Sequence, residues 1–226
     1  MRPTLPHQTR KIRPTRRSVS GLYPFRGKTS IPYESTLERD YLIRAEFLHS
    51  VLEIIPQPVK IPFKGKNGQT YRYTPDFLVR FRPSVTGSGL EDKPLLIEVK
   101  PVAAWREQWR DWAPKWKAAR RYAIEQGWVF RIADESRIRD QVLANINYLD
   151  RYKRMSFPDE QGFTLIDRVR RLQATTVGDL AAPYFKPVER NEGIAHIWHL
   201  VAIRQLECNI DAPLTEQTAL WMPSDD

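Results

Sequence analysis

Hydrophobic residues follow a helical spacing in the segment "YESTLERDYLIRAEFLH", residues 33–49. The stripe repeats at i, i+4, i+8 and i+11, which predicts an amphipathic helix. Its members are Leu37, Tyr41, Ala45 and Leu48. The next segment, "VLEIIPQPVKIPF", is apolar and interrupted by proline, which predicts extended chain. "GKNGQ" then predicts a hairpin turn, because Asn-Gly tolerates positive φ.

Strand-like runs alternate with one long helical segment in the next part of the chain. "TYRYTPDFLVRF", residues 70–81, predicts a returning strand, and "LLIEVK", residues 95–100, predicts a second one. Residues 103–126 predict a long helix, and "WVFRIAD" predicts a further strand. This order of elements predicts one mixed α/β domain over residues 31–150.

Four tryptophans recur at spacings of four, three and four along the predicted long helix, at Trp105, Trp109, Trp112 and Trp116. Such a stripe packs against a sheet more often than it stacks on bases, so we expect it in the core. Pro114 interrupts the same helix and is expected to break or kink it.

The pattern changes after residue 150, where we place a C-terminal module over residues 151–226. "FTLIDRVRRL", "TVGDLAAPYF" and "EGIAHIWHLVAIRQL" predict three short amphipathic helices, and "NIDAPLTEQTALWM" predicts a small β wing. We therefore expect a winged-helix-like module that binds DNA or protein, and its acidic residues favour protein. His196 and His199 are expected to pack rather than to bind metal, because no acid or cysteine accompanies them.

Basic residues are concentrated at the N-terminus. Residues 1–30 hold eight of the 36 Lys and Arg residues and no acid, so the remaining 28 basic residues nearly balance the 27 acidic ones. This segment predicts an extended or disordered arm that binds DNA phosphates. Docking on a partner protein and a solubilising extension are the alternatives. The candidate DNA contacts are Arg10, Lys11, Arg13, Arg16 and Arg17 in the arm, and Lys115, Lys117 and Arg120 after Pro114.

Composition excludes several classes of protein. No apolar run approaches the length that spans a bilayer, and the N-terminus lacks the apolar core of a signal peptide. The single cysteine, Cys208, cannot form an internal disulfide and fits a reducing cytoplasm. The scattered histidines show no zinc-site spacing.

Two predicted strands carry charges that a sheet would be more stable without. Alternation places Leu95, Ile97 and Val99 on one strand face and Glu98 and Lys100 on the other. In "PDFLVRF" the acid at position 76 likewise lies opposite the apolar set Phe77, Val79 and Phe81.

If these strands are neighbours, Asp76, Glu98 and Lys100 converge on one side of the sheet. Close carboxylates repel unless a cation neutralises them, and oxygen ligands suit Mg²⁺ or Mn²⁺. A lysine beside them would orient or deprotonate water, or stabilise transition-state charge, which is the chemistry of phosphodiester hydrolysis. Taken singly, the acid after proline could merely start a strand and the E-x-K pair could be a solvated ion pair.

The "PD" and "EVK" motifs match the PD-(D/E)xK restriction-endonuclease-like fold. The wider run "YESTLERDYLIRAEF", "IIPQPVKI", "YTPDFLV", "LIEVKP" and "WVFRIAD" resembles TnsA, the endonuclease subunit of a heteromeric cut-and-paste transposase. The resemblance covers residues 30–140. It implies a mixed sheet with flanking helices, and Mg²⁺-dependent cleavage of transposon ends on the strand that the partner transposase TnsB leaves uncut. It also implies regulation by the AAA+ protein TnsC.

Carried over by position, the resemblance implies four site residues, which are Glu38, Asp76, Glu98 and Lys100, with the three acids as metal ligands. "STLE" at residues 35–38 is also a capping-box pattern, in which Glu38 bonds back to the backbone N–H of Ser35. The resemblance favours the metal role for Glu38. Gln57 either points into the same cleft or is an edge residue of its strand.

Two alternatives to a transposon endonuclease stay open. One is a stand-alone restriction- or resolvase-type nuclease, although no target-recognition domain is evident and a resolvase needs neither arm nor C-terminal module. The other is a non-catalytic DNA-binding adaptor with a nuclease-like core, against which the complete set of site residues argues.

Overall fold

The computed structural model describes residues 8, 19–83, 93–183, 185–186 and 189–223. They form two compact units, the first ending at Ile138 and the second beginning at Arg139. In chain order the first unit contains β1 (Gly21–Phe25), β2 (Thr29–Tyr33), α1 (Thr36–Phe47), β3 (Val51–Pro56), β4 (Ile61–Lys64), β5 (Thr70–Tyr73), β6 (Phe77–Phe81), β7 (Leu95–Val99), α2 (Val102–Glu125), β8 (Val129–Ala133) and α3 (Glu135–Ile138).

A mixed four-stranded sheet, ordered β3-β6-β7-β8, is the centre of the first unit in the part of the chain that the structure describes. β6 pairs antiparallel with both β3 and β7, whereas β7 and β8 are parallel. The long helix α2 connects these parallel strands, as a parallel pair requires. The predicted restriction-endonuclease-like class, a mixed sheet with flanking helices, is confirmed.

Each face of this sheet packs against a different helix. Phe77, Val79, Ile97 and Val99 join buried residues of α1 in one cluster. The opposite face, which includes Leu78, packs with the alanines of α2 at positions 118, 119 and 123. The predicted alternation of the two central strands is therefore present, and the sheet is buried on both sides.

Residues 21–30 are not part of an extended arm. β1 and β2 form an antiparallel hairpin in which Phe25 pairs with Thr29, and the turn places Arg26 and Gly27 at positive φ. Phe25 and Ile31 are buried in the same cluster as α1. The prediction for this stretch is wrong because its charge masked an alternating apolar pattern. The arm candidates Arg10, Lys11, Arg13, Arg16 and Arg17 lie outside the described residues.

The run 70–81 forms two strands rather than one. β5 pairs with β4 across the predicted Asn-Gly turn, where Gly68 has a φ of 77°, while β6 belongs to the main sheet. The break falls at residues 74–76, where Pro75 has no N–H to contribute to a sheet. The break leaves the acid after Pro75 at the very start of β6.

The tryptophan stripe of α2 reaches the core at one end, where the partly buried Trp116 packs against the cluster that contains the α2 alanines. Trp109 is 50% exposed, and the fully buried positions of α2 are Ala118, Ala119 and Ala123 in its second half. The first half of α2 is mostly exposed, and Trp105 and Trp112 in it are half-buried. α2 also continues unbroken through Pro114.

The second unit is helical and carries a small sheet. Its elements are α4 (Gln141–Lys153), α5 (Asp159–Leu172), β9 (Thr175–Thr176), α6 (Val177–Ala181), α7 (Arg190–Ala202), β10 (Glu207–Cys208) and β11 (Ala219–Trp221). The short strands pair in the order β10-β11-β9; β11 lies in the segment where the sequence predicts a wing, whereas β9 and β10 lie outside it. The unit starts before residue 150, our predicted boundary, because α4 packs against α7.

No described helix combines the length and apolar character needed to cross a membrane.

Candidate active site

Asp76 and Lys100 lie at the same end of the main sheet. Phe77 of β6 pairs with Ile97 of the antiparallel β7, so the residue before β6 lies beside the last residues of β7. The Asp76 N–H donates to the carbonyl of Ile97 at 3.0 Å, and its Oδ2 accepts from the N–H of Val99 at 2.7 Å. The backbone of β7 thus fixes the Asp76 carboxylate.

The structure brings together the three charged residues that strand alternation predicts. Lys100 Nζ lies 3.7 Å from Asp76 Oδ2 and 3.4 Å from Glu98 Oε1. The side chains of Lys100 and Asp76 are 26% and 14% exposed, so these two residues are where the cluster reaches solvent. One ammonium therefore bridges two carboxylates at the end of a buried sheet.

Glu98 is the most deeply buried member of the cluster, at 1% exposure. Its Oε2 accepts a hydrogen bond from the hydroxyl of Tyr73, at the end of β5, at 2.6 Å. Its Oε1 contacts both Lys100 and Lys115, each at 3.4 Å. A buried carboxylate needs such partners to offset its desolvation.

Burial and mutual repulsion shape the electrostatics of the site. Burial, followed by the nearby charge of Glu98, raises the pKa of Asp76 well above its ordinary value. Burial alone would lower the pKa of Lys100, but the carboxylates of Asp76 and Glu98 outweigh it and raise that pKa. Burial, together with Glu98, likewise raises the pKa of Tyr73. The carboxylates that act on Lys100 would likewise favour a bound cation.

Glu38 is engaged at the N-terminus of α1. Its N–H donates to Ser35 Oγ at 3.1 Å, and its own Oε1 accepts from that hydroxyl at 2.9 Å. Its Oε2 accepts from the N–H of Glu34 at 2.8 Å, one residue before the position that the capping box predicts. Glu38 also interacts electrostatically with Asp76 and Lys100, so it lies near the cluster. Its role as a third metal ligand stays a prediction.

Gln57 lies beneath the site rather than at a solvated strand edge. It is buried, and its backbone has a φ of 45°, which is strained for a residue with a side chain. Its N–H donates to the carbonyl of Asp76 at 2.7 Å, and its Nε2 donates to Glu34 Oε2 at 3.5 Å. Gln57 therefore links β3, Asp76 and the segment that leads into α1.

The basic candidates on α2 separate into two kinds. Lys117 and Arg120 are exposed and point away from the core, as phosphate-binding residues would. Lys115 instead turns inward to Glu98. In the second unit His196 stacks on Phe157 with ring centroids 4.5 Å apart, and His199 Nδ1 lies 2.8 Å from the carbonyl of Tyr152.

Two protein-family models match the chain. The model described as TnsA-like endonuclease N terminal matches residues 48–135, and the one described as TnsA endonuclease C terminal matches residues 137–210. The chain belongs to the TnsA family of transposon endonucleases. A search of the curated proteins found no match.

The TnsA match covers most of the site. Asp76, Glu98, Lys100 and Lys115 lie within the N-terminal TnsA match, whereas Glu38 precedes it. The two matches meet within a few residues of the boundary between the compact units. The chain is thus a transposon-associated DNA endonuclease with both regions that characterise TnsA.

The donor chemistry of the site fits magnesium. Mg²⁺ in phosphoryl-transfer sites is held by one or two carboxylates together with water and substrate phosphates. Asp76 and Glu98 supply such a pair, and the contacts that the described residues make with Asp76 all fall on Oδ2 rather than Oδ1. Within the described residues, no group of three or more His, Cys, Asp or Glu side chains is arranged to hold a metal ion. The fit rests on this pair.

Sequence reasoning missed the contacts that Tyr73 and Lys115 make with Glu98. Tyr73 reaches Glu98 from the hairpin β4–β5, and Lys115 reaches it from α2. Both contacts depend on how separate elements pack. The signals in the sequence were weak: a tyrosine hydroxyl at the end of a strand, and a lysine among the apolar residues of a helix.

Proposed function

We propose that this chain is a Mg²⁺-dependent endonuclease that hydrolyses one phosphodiester at each transposon end during cut-and-paste transposition. It acts with a TnsB-like transposase, cutting the strand that this partner leaves intact, and under a TnsC-like AAA+ regulator. Membership of the TnsA family supports a role in transposition. The observation that supports metal-dependent hydrolysis is the convergence of two carboxylates and a lysine where β6 starts and β7 ends.

Each residue of the cluster has a part in this reaction. Asp76 and Glu98 would hold Mg²⁺, with Mn²⁺ as a substitute. The bound ion would supply Lewis-acid stabilisation of the phosphate and a more acidic water. Lys100, fixed between the carboxylates, orients the attacking water or stabilises negative charge on the phosphate oxygens. The water gives up a proton to solvent as it adds to phosphorus, the bond from phosphorus to the leaving sugar oxygen breaks, and that oxygen takes up a proton from solvent.

The surrounding surface supports duplex binding. Lys117 and Arg120 on the exposed face of α2 are available to phosphates. The basic residues of 1–18 remain candidates for the same role on their charge alone. Such contacts would orient the duplex and would not read its sequence.

A reconstituted cleavage assay tests the proposal. The full-length chain is mixed with TnsB-like and TnsC-like proteins of the same element and with end DNA labelled separately on each strand. We expect one strand to be cut only when this chain and Mg²⁺ or Mn²⁺ are present, and the other to be cut without this chain. Equal cutting of both strands without this chain, or undiminished cutting in excess EDTA, would overturn the proposal.

A further inference from the structure

Lys115 differs from the other basic residues in the second half of α2. Its side chain is only 18% exposed, whereas Lys117 and Arg120 are exposed. Its Nζ lies 3.4 Å from Glu98 Oε1, the same oxygen that Lys100 contacts. An inward lysine at this depth is poorly placed for a surface phosphate, so the predicted DNA-contact role does not suit it.

Three aromatic rings surround the Lys115 ammonium. Its Nζ lies 4.5 Å from the ring centroid of Trp112, 5.1 Å from that of Tyr73 and 5.8 Å from that of Trp116. Each distance lies within the range of cation–π attraction. Such a cage holds a positive charge in place and restricts the rotamers of a long side chain.

The two lysines pair with different sets of carboxylates. Lys100 contacts both Asp76 and Glu98, whereas the ion pair of Lys115 is with Glu98. Tyr73 contacts the other oxygen of Glu98 and also forms one wall of the cage. Glu98 therefore has its own fixed counter-charge, which does not depend on Lys100.

We infer that Lys115 is a positioning residue of the active site, which fixes and neutralises Glu98 from α2, so that Glu98 does not depend on Lys100 alone for its counter-charge. This inference rests on the proposed function. It gives the site two lysines with separate tasks, one on the strand and one on the helix.

The test compares Lys115→Met with Lys115→Arg, and uses Lys60→Met as the matched control. Lys60 is an exposed lysine of the same unit, and its loss changes the net charge equally. The first readout is Mn²⁺ binding to the full-length protein without DNA, followed by electron paramagnetic resonance. The second is the single-turnover cleavage rate in the reconstituted assay, and thermal melting is recorded for every variant.

We expect Lys115→Met to bind Mn²⁺ several-fold more tightly than Lys60→Met, because a positive charge next to Glu98 is lost. We expect its cleavage to be slower by about 10- to 100-fold, because Glu98 is no longer fixed. Lys115→Arg should restore the Mn²⁺ affinity and part of the rate, since it keeps the charge and the contact with the rings.

Two results would overturn the inference. One is a Mn²⁺ affinity of Lys115→Met equal to that of Lys60→Met, whatever the cleavage rate. The other is a joint loss of Mn²⁺ affinity, cleavage and melting temperature that Lys115→Arg does not rescue, which would show a purely structural lysine. Wild-type protein that binds Mn²⁺ but cuts neither strand would instead count against the proposed function.

Discussion

Both compact units bury ionisable side chains, but they do so in different ways. In the first, Asp76 and Glu98 keep their charge partners, with Lys100 and Lys115 at 3.4–3.7 Å. In the second, His196 is nearly as buried as Glu98 but lies flat against Phe157. Buried charges are costly and are retained where chemistry needs them, whereas a neutral imidazole can serve as one more packing ring. We therefore expect a buried titratable group to mark a reactive site here when opposite charge lies beside it.

The strongest test of this contrast is Asp76→Asn. The amide keeps an acceptor for the Val99 N–H but cannot carry the negative charge. We expect strand cleavage to fall by at least about 10²-fold, as for the loss of a catalytic group, while the melting temperature stays level or rises. The measurements are single-turnover cleavage and thermal melting. Cleavage at the wild-type rate would remove Asp76 from the chemistry.

Lys100→Met should reduce both activity and stability. It removes the ammonium that bridges Asp76 and Glu98, so the buried Glu98 and the half-buried Asp76 each lose a partner. We expect about 10²-fold slower cleavage and a loss of about 1–3 kcal/mol in the free energy of unfolding. Urea unfolding at pH 8 measures the second effect. Lys100→Arg should recover stability better than rate. A variant that is less stable but fully active would make Lys100 a structural ion pair.

Glu38→Gln separates the cap of α1 from a metal role. Gln keeps one acceptor for the bonds from Ser35 and Glu34 but lacks the charge. If Glu38 acts in catalysis, cleavage falls sharply while the free energy of unfolding drops by no more than about 1 kcal/mol. Ser35→Ala is the matched control, since it weakens the cap and leaves the carboxylate. Full activity of Glu38→Gln with a lowered melting temperature would assign the residue to capping alone.

The smallest effect should come from His196, as a change in stability with pH. Burial, and then the neighbouring His199, lowers the pKa of His196 below its ordinary value of 6.5. The unfolded chain then takes up the proton at higher pH than the folded one, so the free energy of unfolding falls as pH drops below about 6.5. Thermal melting between about pH 7.5 and 5.5 should show this slope in wild type and a weaker one in His196→Gln. An identical slope in both would assign it to other groups.

Strand alternation made much of this site predictable. Asp76, Glu98 and Lys100 stand out because a period of two places them opposite apolar neighbours that must be buried. The same local rules correctly placed α1, the Asn-Gly hairpin and the three helices after residue 150.

Contacts between distant elements were not predictable in the same way. Tyr73 and Lys115 meet Glu98 from a separate hairpin and from a helix, and no spacing in one sequence encodes that meeting. The hairpin β1–β2 was missed because the segment was interpreted from its positive charge, and the apolar positions Phe25 and Ile31, which are buried, were given no weight. The tryptophans of α2 were predicted only in part, because periodicity shows that a face is apolar but not how much of that face other elements cover.

The boundary between the two units, near residue 138, is a suitable place to join halves of related proteins. The two TnsA matches stop and restart at 135 and 137, and the hydrophobic cluster of the first unit ends with Ile138. A recombination event between residues 138 and 139 would leave that cluster and the packing of α4 on α7 whole. Chimaeras joined at this point would exchange the second unit between transposon systems while keeping the first unit, which contains the candidate active site, constant.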